Sequence, residues 1–173
     1  MSLKGQDTPL QSGVDFTAEG KAGAVRRYPA SSVATYEYGT TMTTDEVIIY
    51  GGMVVLDTDG GVRNPDTGDA VASMLGFTVY QNTGIVEDAG YKKGGLQYNV
   101  AVCEFGQILL PVSAGETLAV GDTLTLNITA GADFNTISKV SADATHLAIS
   151  DKVRVASPSS NGLVLCNVIK YAN

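Results

Sequence analysis

The chain has no tryptophan, one histidine and two cysteines in 173 residues. Each shortage removes a class of chemistry. A single histidine rules out every multi-histidine metal site and leaves His146 as the one candidate for imidazole acid–base catalysis. Two cysteines, Cys103 and Cys166, permit at most one disulfide and cannot form a four-cysteine zinc site. Basic residues are also scarce: Lys and Arg number 11 against 18 Asp and Glu, for a net charge of −7. Neutralising a phosphate backbone needs clustered Lys and Arg, so no nucleic-acid partner is expected. No run approaches the ~18 apolar residues of a membrane helix, so no membrane partner is expected either. Residues 1–7 lack the apolar core of a secretory signal, which predicts synthesis in a cytoplasm.

What is abundant is glycine, with 20 residues, in a chain that is 44% hydrophobic and only 17% charged. Residues 1–40 and 41–173 differ in character. In the first segment the charges cancel: Lys4, Lys21, Arg26 and Arg27 against Asp7, Asp15, Glu19 and Glu37. The whole excess of negative charge therefore lies in residues 41–173. A neutral, Gly- and Pro-interrupted leader predicts an extended N-terminal arm over 1–40 and a body over 41–173. The arm still carries Val25, Tyr28, Val33, Tyr36 and Tyr38, residue types that disordered segments usually lack.

From residue 45 onward, short apolar runs alternate with turn signals. Val47 to Tyr50 and Met53 to Leu56 read as two strands joined at Gly51-Gly52, closed by the Asp57–Gly61 turn. Leu75 to Tyr80 is another strand. Leu96 to Glu104 alternates, and Phe105-Gly106 predicts a turn from which Gln107 to Val112 returns. Thr123 to Thr129 has a period of two, with Leu124, Leu126 and Ile128 on one face and Thr123, Thr125 and Asn127 on the wet one. Lys152 to Val155 alternates, Ser157 to Gly162 predicts a loop, and Leu163 to Tyr171 is the final strand. Residues 66–74 and 141–148 have the makings of a helical turn or two, too short for autonomous helices. The pattern predicts an all-β sandwich or barrel of short antiparallel strands.

No catalytic, cofactor or metal site is expected. Cys103 and Cys166 lie inside apolar strand patterns, where a thiol acts as a small buried hydrophobe rather than a nucleophile for a Cys–His pair with His146. Asp57-Thr58-Asp59-Gly60-Gly61 begins like a calcium loop, but Gly61 and Gly68 stand where that loop needs acidic or amide ligands, and a hairpin turn accounts for the residues. An all-β, Gly-rich, acidic chain without an assembled catalytic set points to a structural or binding role, not an enzyme.

Five segments carry a family resemblance. They are the Gly51–Leu56 strand with its Asp/Gly turn, Leu75-Gly76-Phe77-Thr78-Val79-Tyr80, Val100-Ala101-Val102, Gly106-Gln107-Ile108, and the hairpin from Ala114-Gly115-Glu116 through Gly121-Asp122-Thr123-Leu124. In this order, across roughly residues 20–135, the chain resembles the capsid cement (decoration) proteins of tailed bacteriophages. The resemblance implies an all-β, often oligomeric protein (a trimer, or a dimer) on the outer capsid surface of the virion, clamping neighbouring major capsid proteins, and made in the bacterial host. It transfers no reactive residue. Tyr28, Tyr36 and Tyr38 become candidate partner-binding anchors, with packing against their own barrel as the competing role. Arg26 and Arg27 become candidates for pairing with an acidic patch on the capsid or the next subunit. The alternative function is another virion module, a tail or baseplate component or a glycan-binding β sandwich.

Overall fold

The computed structural model describes residues 21–26, 31–80 and 89–169. Within them the chain is built from strands: β1 (Val25–Arg26), β2 (Ser32–Glu37), β3 (Val47–Ile49), β4 (Met53–Leu56), β5 (Val62–Arg63), β6 (Met74–Thr78), β7 (Gly90–Lys92), β8 (Asn99–Pro111), β9 (Thr125–Asn127), β10 (Ile137–Ser138), β11 (His146–Ala148), β12 (Val153–Ser160) and β13 (Leu163–Val168). One 3-10 turn, Val71–Ser73, lies inside the 66–74 stretch that the sequence marks as helical. The main sheet runs β12-β13-β8-β6-β4-β5, with β1 and β2 both added to β8; β10-β9-β11 and β3-β7 form two smaller sheets. The all-β expectation holds, and every pairing between strands is antiparallel.

β8 organises the molecule. The turn expected at Phe105-Gly106 is absent, and the strand passes straight through it. Ser32 pairs with Phe105 but Val33 pairs with Cys103, so Glu104 is an extra residue with no opposite number. Gly106 follows at φ 121°, a backbone region that costs a residue with a Cβ. This bulge lets one strand serve two sets of partners, because an inserted residue bends the strand and raises its twist. Residues before it pair with β2 and β6, and residues after it pair with β1 and β13. The insertion also flips the parity of the core face. Cys103 belongs to the larger apolar cluster before the bulge, and Ile108 and Leu110 belong to it afterwards.

Two main cores result, one on each side of the bent sheet, with a small third cluster at Leu109 and Leu165. The larger holds Leu124, Leu126 and Ile128 of the β9 region and Ile137 of β10 against Ile108, Leu110, Val153, Val164 and Cys166. The three-stranded sheet thus packs as a second layer, as in a sandwich. The second core packs Ile48 and Tyr91 of the β3–β7 ribbon on Val54, Val62, Val100 and Val102. Each fully buried Leu, Ile or Val contributes about 1.5–3 kcal/mol relative to exposure. Around this second core the sheet curls. Tyr38 bridges to Val62, and the Gly39 N–H donates to the Val62 carbonyl at 2.8 Å. The end of β2 thereby meets β5 and closes one end of an open barrel.

Several local expectations give way to tertiary pairing. The strands around Gly51-Gly52 do not form a hairpin with each other: β3 pairs with β7, and β4 pairs with β5 and β6. Gly51, at φ 72°, sits instead where the main chain approaches Gly23 and Leu109 too closely for a side chain. Thr125 is buried rather than wet, because the segment after β10 covers it and Val140 accepts its hydroxyl at 2.9 Å. Residues 146–148 form β11, paired with β9, in place of a helical turn. The Ser157–Gly162 loop shrinks to Asn161-Gly162, whose φ values of 52° and 73° make a two-residue hairpin turn between β12 and β13.

Candidate docking surface

The residues with chemical potential are committed to structure. Cys103 and Cys166 are fully buried, and burial pushes their thiols up to about 11 and about 12 respectively, the opposite of what a thiolate nucleophile needs. His146 lies on β11, its Nδ1 3.2 Å from the Asp143 carboxylate and 2.8 Å from the Thr145 hydroxyl. The Asp143 carboxylate, held mainly by the Thr145 hydroxyl and N–H, is lowered to about 2. These contacts close a tight Asx-type turn.

The Asp57–Gly61 stretch is the hairpin between β4 and β5. Its carboxylates accept from the chain's own donors, with Asp57 buried and Asp59 exposed. One Asp57 oxygen accepts from the Thr41 N–H at 2.9 Å and the Thr41 hydroxyl at 2.7 Å; the other accepts from the Thr58 N–H at 2.8 Å. Asp59 accepts from the N–H groups of Thr40 and Gly61. These bonds hold both carboxyls below the ordinary carboxylate range. Asp57 is a buried pin between the hairpin and the chain after β2, a role that sequence spacing does not reveal because Thr41 is sixteen residues away.

Of the proposed partner-binding residues, Arg27 and Tyr28 lie outside the described residues. Arg26 is half-buried on β1, with its guanidinium 3.3 Å from the Gln107 amide oxygen. Tyr36 and Tyr38 are half-buried and pack on the second core. The Tyr36 hydroxyl donates to Glu104 Oε1, and burial together with that contact raises its pKa to about 12. The structure therefore brings Tyr36, Tyr38 and Glu104 to one strand edge and places Arg26 on the other half of β8.

That edge is β2. Its pairing with β8 decides which way its main chain points. The Val79 N–H donates to the Ala101 carbonyl at 2.8 Å, and Cys103 pairs with Phe77, so Ala101 and Cys103 turn their main-chain groups toward β6. In an antiparallel ladder the residues opposite them then point away from β8. Those residues are Val33 and Thr35, both exposed. Neither has a main-chain partner on its outer side among the described residues. The remaining edge is flanked by apolar surface. Val33 is 47% exposed and Phe105 43%, while Leu96 and Tyr98, just ahead of β8, reach 67% and 84%. These are four of the seven large apolar residues exposed among the described ones, and they fall at the two ends of β2: Phe105 opposite Ser32, with Val33 next to it in the chain, and Tyr98 beside Asn99, the partner of Glu37.

A second concavity, of about 680 Å3, lies between the Thr41–Val47 and Arg63–Thr67 segments and the loops at Ile128–Phe134. Its arginine, Arg63, is held by Asp69 at 2.8 Å and lies 3.9 Å from Asp57, and the carboxylates of Glu46 and Asp66 also line the groove beside apolar residues such as Met42, Ile128 and Phe134.

This architecture has known relatives. A family model described as structural cement protein (E217 gp24/Pam3 gp6), a phage cement family, matches residues 10–168. Among solved structures, a chain of the capsid of Myoviridae phage XM1 superposes with a TM-score of 0.73 at 18% identity, covering 88% of this chain and 91% of that one. At that identity the likeness is one of fold. No curated protein matches.

Proposed function

The chain belongs to the structural cement protein family, and from that premise we propose that it binds the outer surface of an assembled phage capsid and holds neighbouring shell subunits together. The observation that carries this reading is the family match over residues 10–168, nearly the whole described body. The body itself suits the task. Its reactive groups are buried or hydrogen-bonded, and its two cores make a rigid block that can resist deformation. A ligand that binds the assembled shell and not its dissociated subunits stabilises the shell by mass action, by an amount set by its concentration over its dissociation constant. Bridging two subunits strengthens the effect, because the second contact is made at high effective concentration.

In this reading the exposed edge of β2 is part of the contact, and Arg26, Arg27, Tyr28, Tyr36 and Tyr38 are the residues proposed to bind the partner. A trimer is the proposed assembly, with a dimer as its alternative; solution mass tests this directly. The decisive experiment is thermal or low-salt challenge of empty shells with and without the purified protein. Shells should survive higher temperature when it is bound, in proportion to occupancy. Shells that bind the protein yet dissociate at an unchanged temperature would reject a cementing role.

A further inference from the structure

We infer that the outer edge of β2 receives, by strand addition, an extended segment of a capsid-shell subunit carrying apolar side chains and a cation. The inference rests on the capsid-binding reading above and names the contact it uses.

A free strand edge is a template for another chain, and proteins blunt it with charge, proline, bulges or shortness. β12, at the far end of the main sheet, has all of these devices but the last: Arg154, Pro158 and two register shifts. It is also covered, since the Ser159 N–H donates to the Leu118 carbonyl at 2.8 Å and the Leu118 N–H to the Ser159 hydroxyl at 2.7 Å. β5, at the opposite end, is two residues long and bridged by Tyr38. Among the described residues, β2 alone of these has no main-chain partner on its outer side. It is Ser-Val-Ala-Thr-Tyr-Glu, with no proline and no lysine, and its one charge, Glu37, is at the end tied down beside β5.

The geometry offers an incoming strand the outward N–H and C=O of Val33 and of Thr35, with Val33 and Phe105 as apolar neighbours at one end of the strand and Leu96 and Tyr98 at the other. Main-chain bonds of this kind give affinity, and alternate side-chain contacts give specificity. Charge selects the occupant. The protein carries −7, and Glu37 and Glu104 are the charged residues of β2 and of the stretch of β8 facing it. A second copy would bring like charge to like charge, whereas a basic, apolar segment of the shell meets the opposite sign. The bulge at Glu104 and the bond from Tyr36 keep the first half of β8 rigid beneath the acceptor edge.

The test uses the full-length protein and empty shells of its own phage prepared without it. Amide hydrogen exchange is followed for Val33 and Thr35 in the free protein and on the shells, and Thr35→Pro is assayed for co-sedimentation. Proline at this outward position removes a donor from the open edge while leaving the β8 ladder intact. Both amides should exchange fast in the free protein and gain about tenfold or more protection on shells. Thr35→Pro should retain its native circular dichroism and bind about tenfold or more weakly. Native protein that binds shells with no added protection at Val33 and Thr35 overturns the strand-addition proposal and leaves the cement role standing. Protection that grows with protein concentration in the absence of shells assigns the edge to a second copy and also overturns it. Failure of the native protein to bind shells at all defeats the capsid-binding reading itself. The exchange measurement needs no variant, so it decides the question even if Thr35→Pro does not fold.

Discussion

The side-chain amide of Asn135 pairs with both main-chain groups of Met53, accepting from its N–H at 2.8 Å and donating to its carbonyl at 2.9 Å. Asn135 is 1% exposed and stands at φ 63°, so it supplies to β4 the pair of bonds that a neighbouring strand residue would supply. Through this one residue the loop after β9 is tied to the main sheet, which keeps the two layers in register across the larger core.

Asn135→Gly isolates this contact, because glycine accepts the positive φ without strain and removes only the amide. It leaves the Met53 N–H and C=O buried without their partner. Unsatisfied buried groups cost about 1–3 kcal/mol each, so a loss of about 2–4 kcal/mol is expected in urea unfolding. A loss under half a kilocalorie would show that the layers are held by apolar packing alone.

The ionisable groups predict a stability plateau with two shoulders. Asp57, Asp59, Asp69 and Asp143 all have carboxyls below the usual 3.8, chiefly through hydrogen bonds from Thr41, Gly61, Arg63 and Thr145 respectively. A carboxyl with a depressed folded-state pKa contributes stability that is complete above the unfolded value and lost as pH falls through the folded one. Melting temperature should therefore drop as the pH goes from about 4 toward 2. At the alkaline side the sign reverses. Tyr36 is raised from 10.0 to about 12 and Cys103 from 9.0 to about 11, each mainly by burial, so stability declines above about pH 9. Asp57→Asn should flatten part of the acid shoulder, read as melting temperature against pH.

The two thiols should differ when changed to serine. Cys103 Sγ lies 3.3 Å from the Phe105 carbonyl, which gives a serine hydroxyl an acceptor. Cys166 sits in the larger apolar cluster with no such acceptor among the described residues. Burying an unpaired hydroxyl costs about 1–3 kcal/mol, so Cys166→Ser should be the more destabilising of the two. Native protein should resist iodoacetamide at pH 8 at both sites and react only on unfolding.

Gly106→Ala tests the corner in β8. Its φ of 121° is a region L-residues rarely occupy, and holding alanine there costs about 1–3 kcal/mol. The loss should appear in unfolding free energy while shell binding per folded molecule is retained.

Truncation separates the leader from the body. Removing residues 1–40 strips β1 and β2 from β8 and should abolish cooperative unfolding, because Val100, Val102 and Ile108 lose their cover. Removing residues 1–20 keeps every described strand and should leave cooperative unfolding in place, whatever it does to capsid binding.

Strand content was legible wherever the chain alternates or carries a β-branched run. β4, β6, β9 and β13 fall where alternation or β-branched runs place them, because a period of two is a local property of the pleat. The buried cysteines were legible for the same reason. Glycine misled the reading at Gly51 and Gly106. Both look like turns in sequence, yet one answers to a close main-chain approach and the other to a bulge, and each depends on strands far away in the chain.

The sequence by itself determined that this protein is an all-β, acidic body whose two thiols sit in apolar strands, since composition and alternation bound those properties without reference to neighbours. Only the tertiary structure decided that β8 serves two sets of partners, that Asp57 pins the β4–β5 hairpin to Thr41, and that β2 has no outer main-chain partner among the described residues. Those facts concern which strand lies beside which, and a strand's partner is chosen by the packing of the whole core, not by the residues adjoining it in the chain.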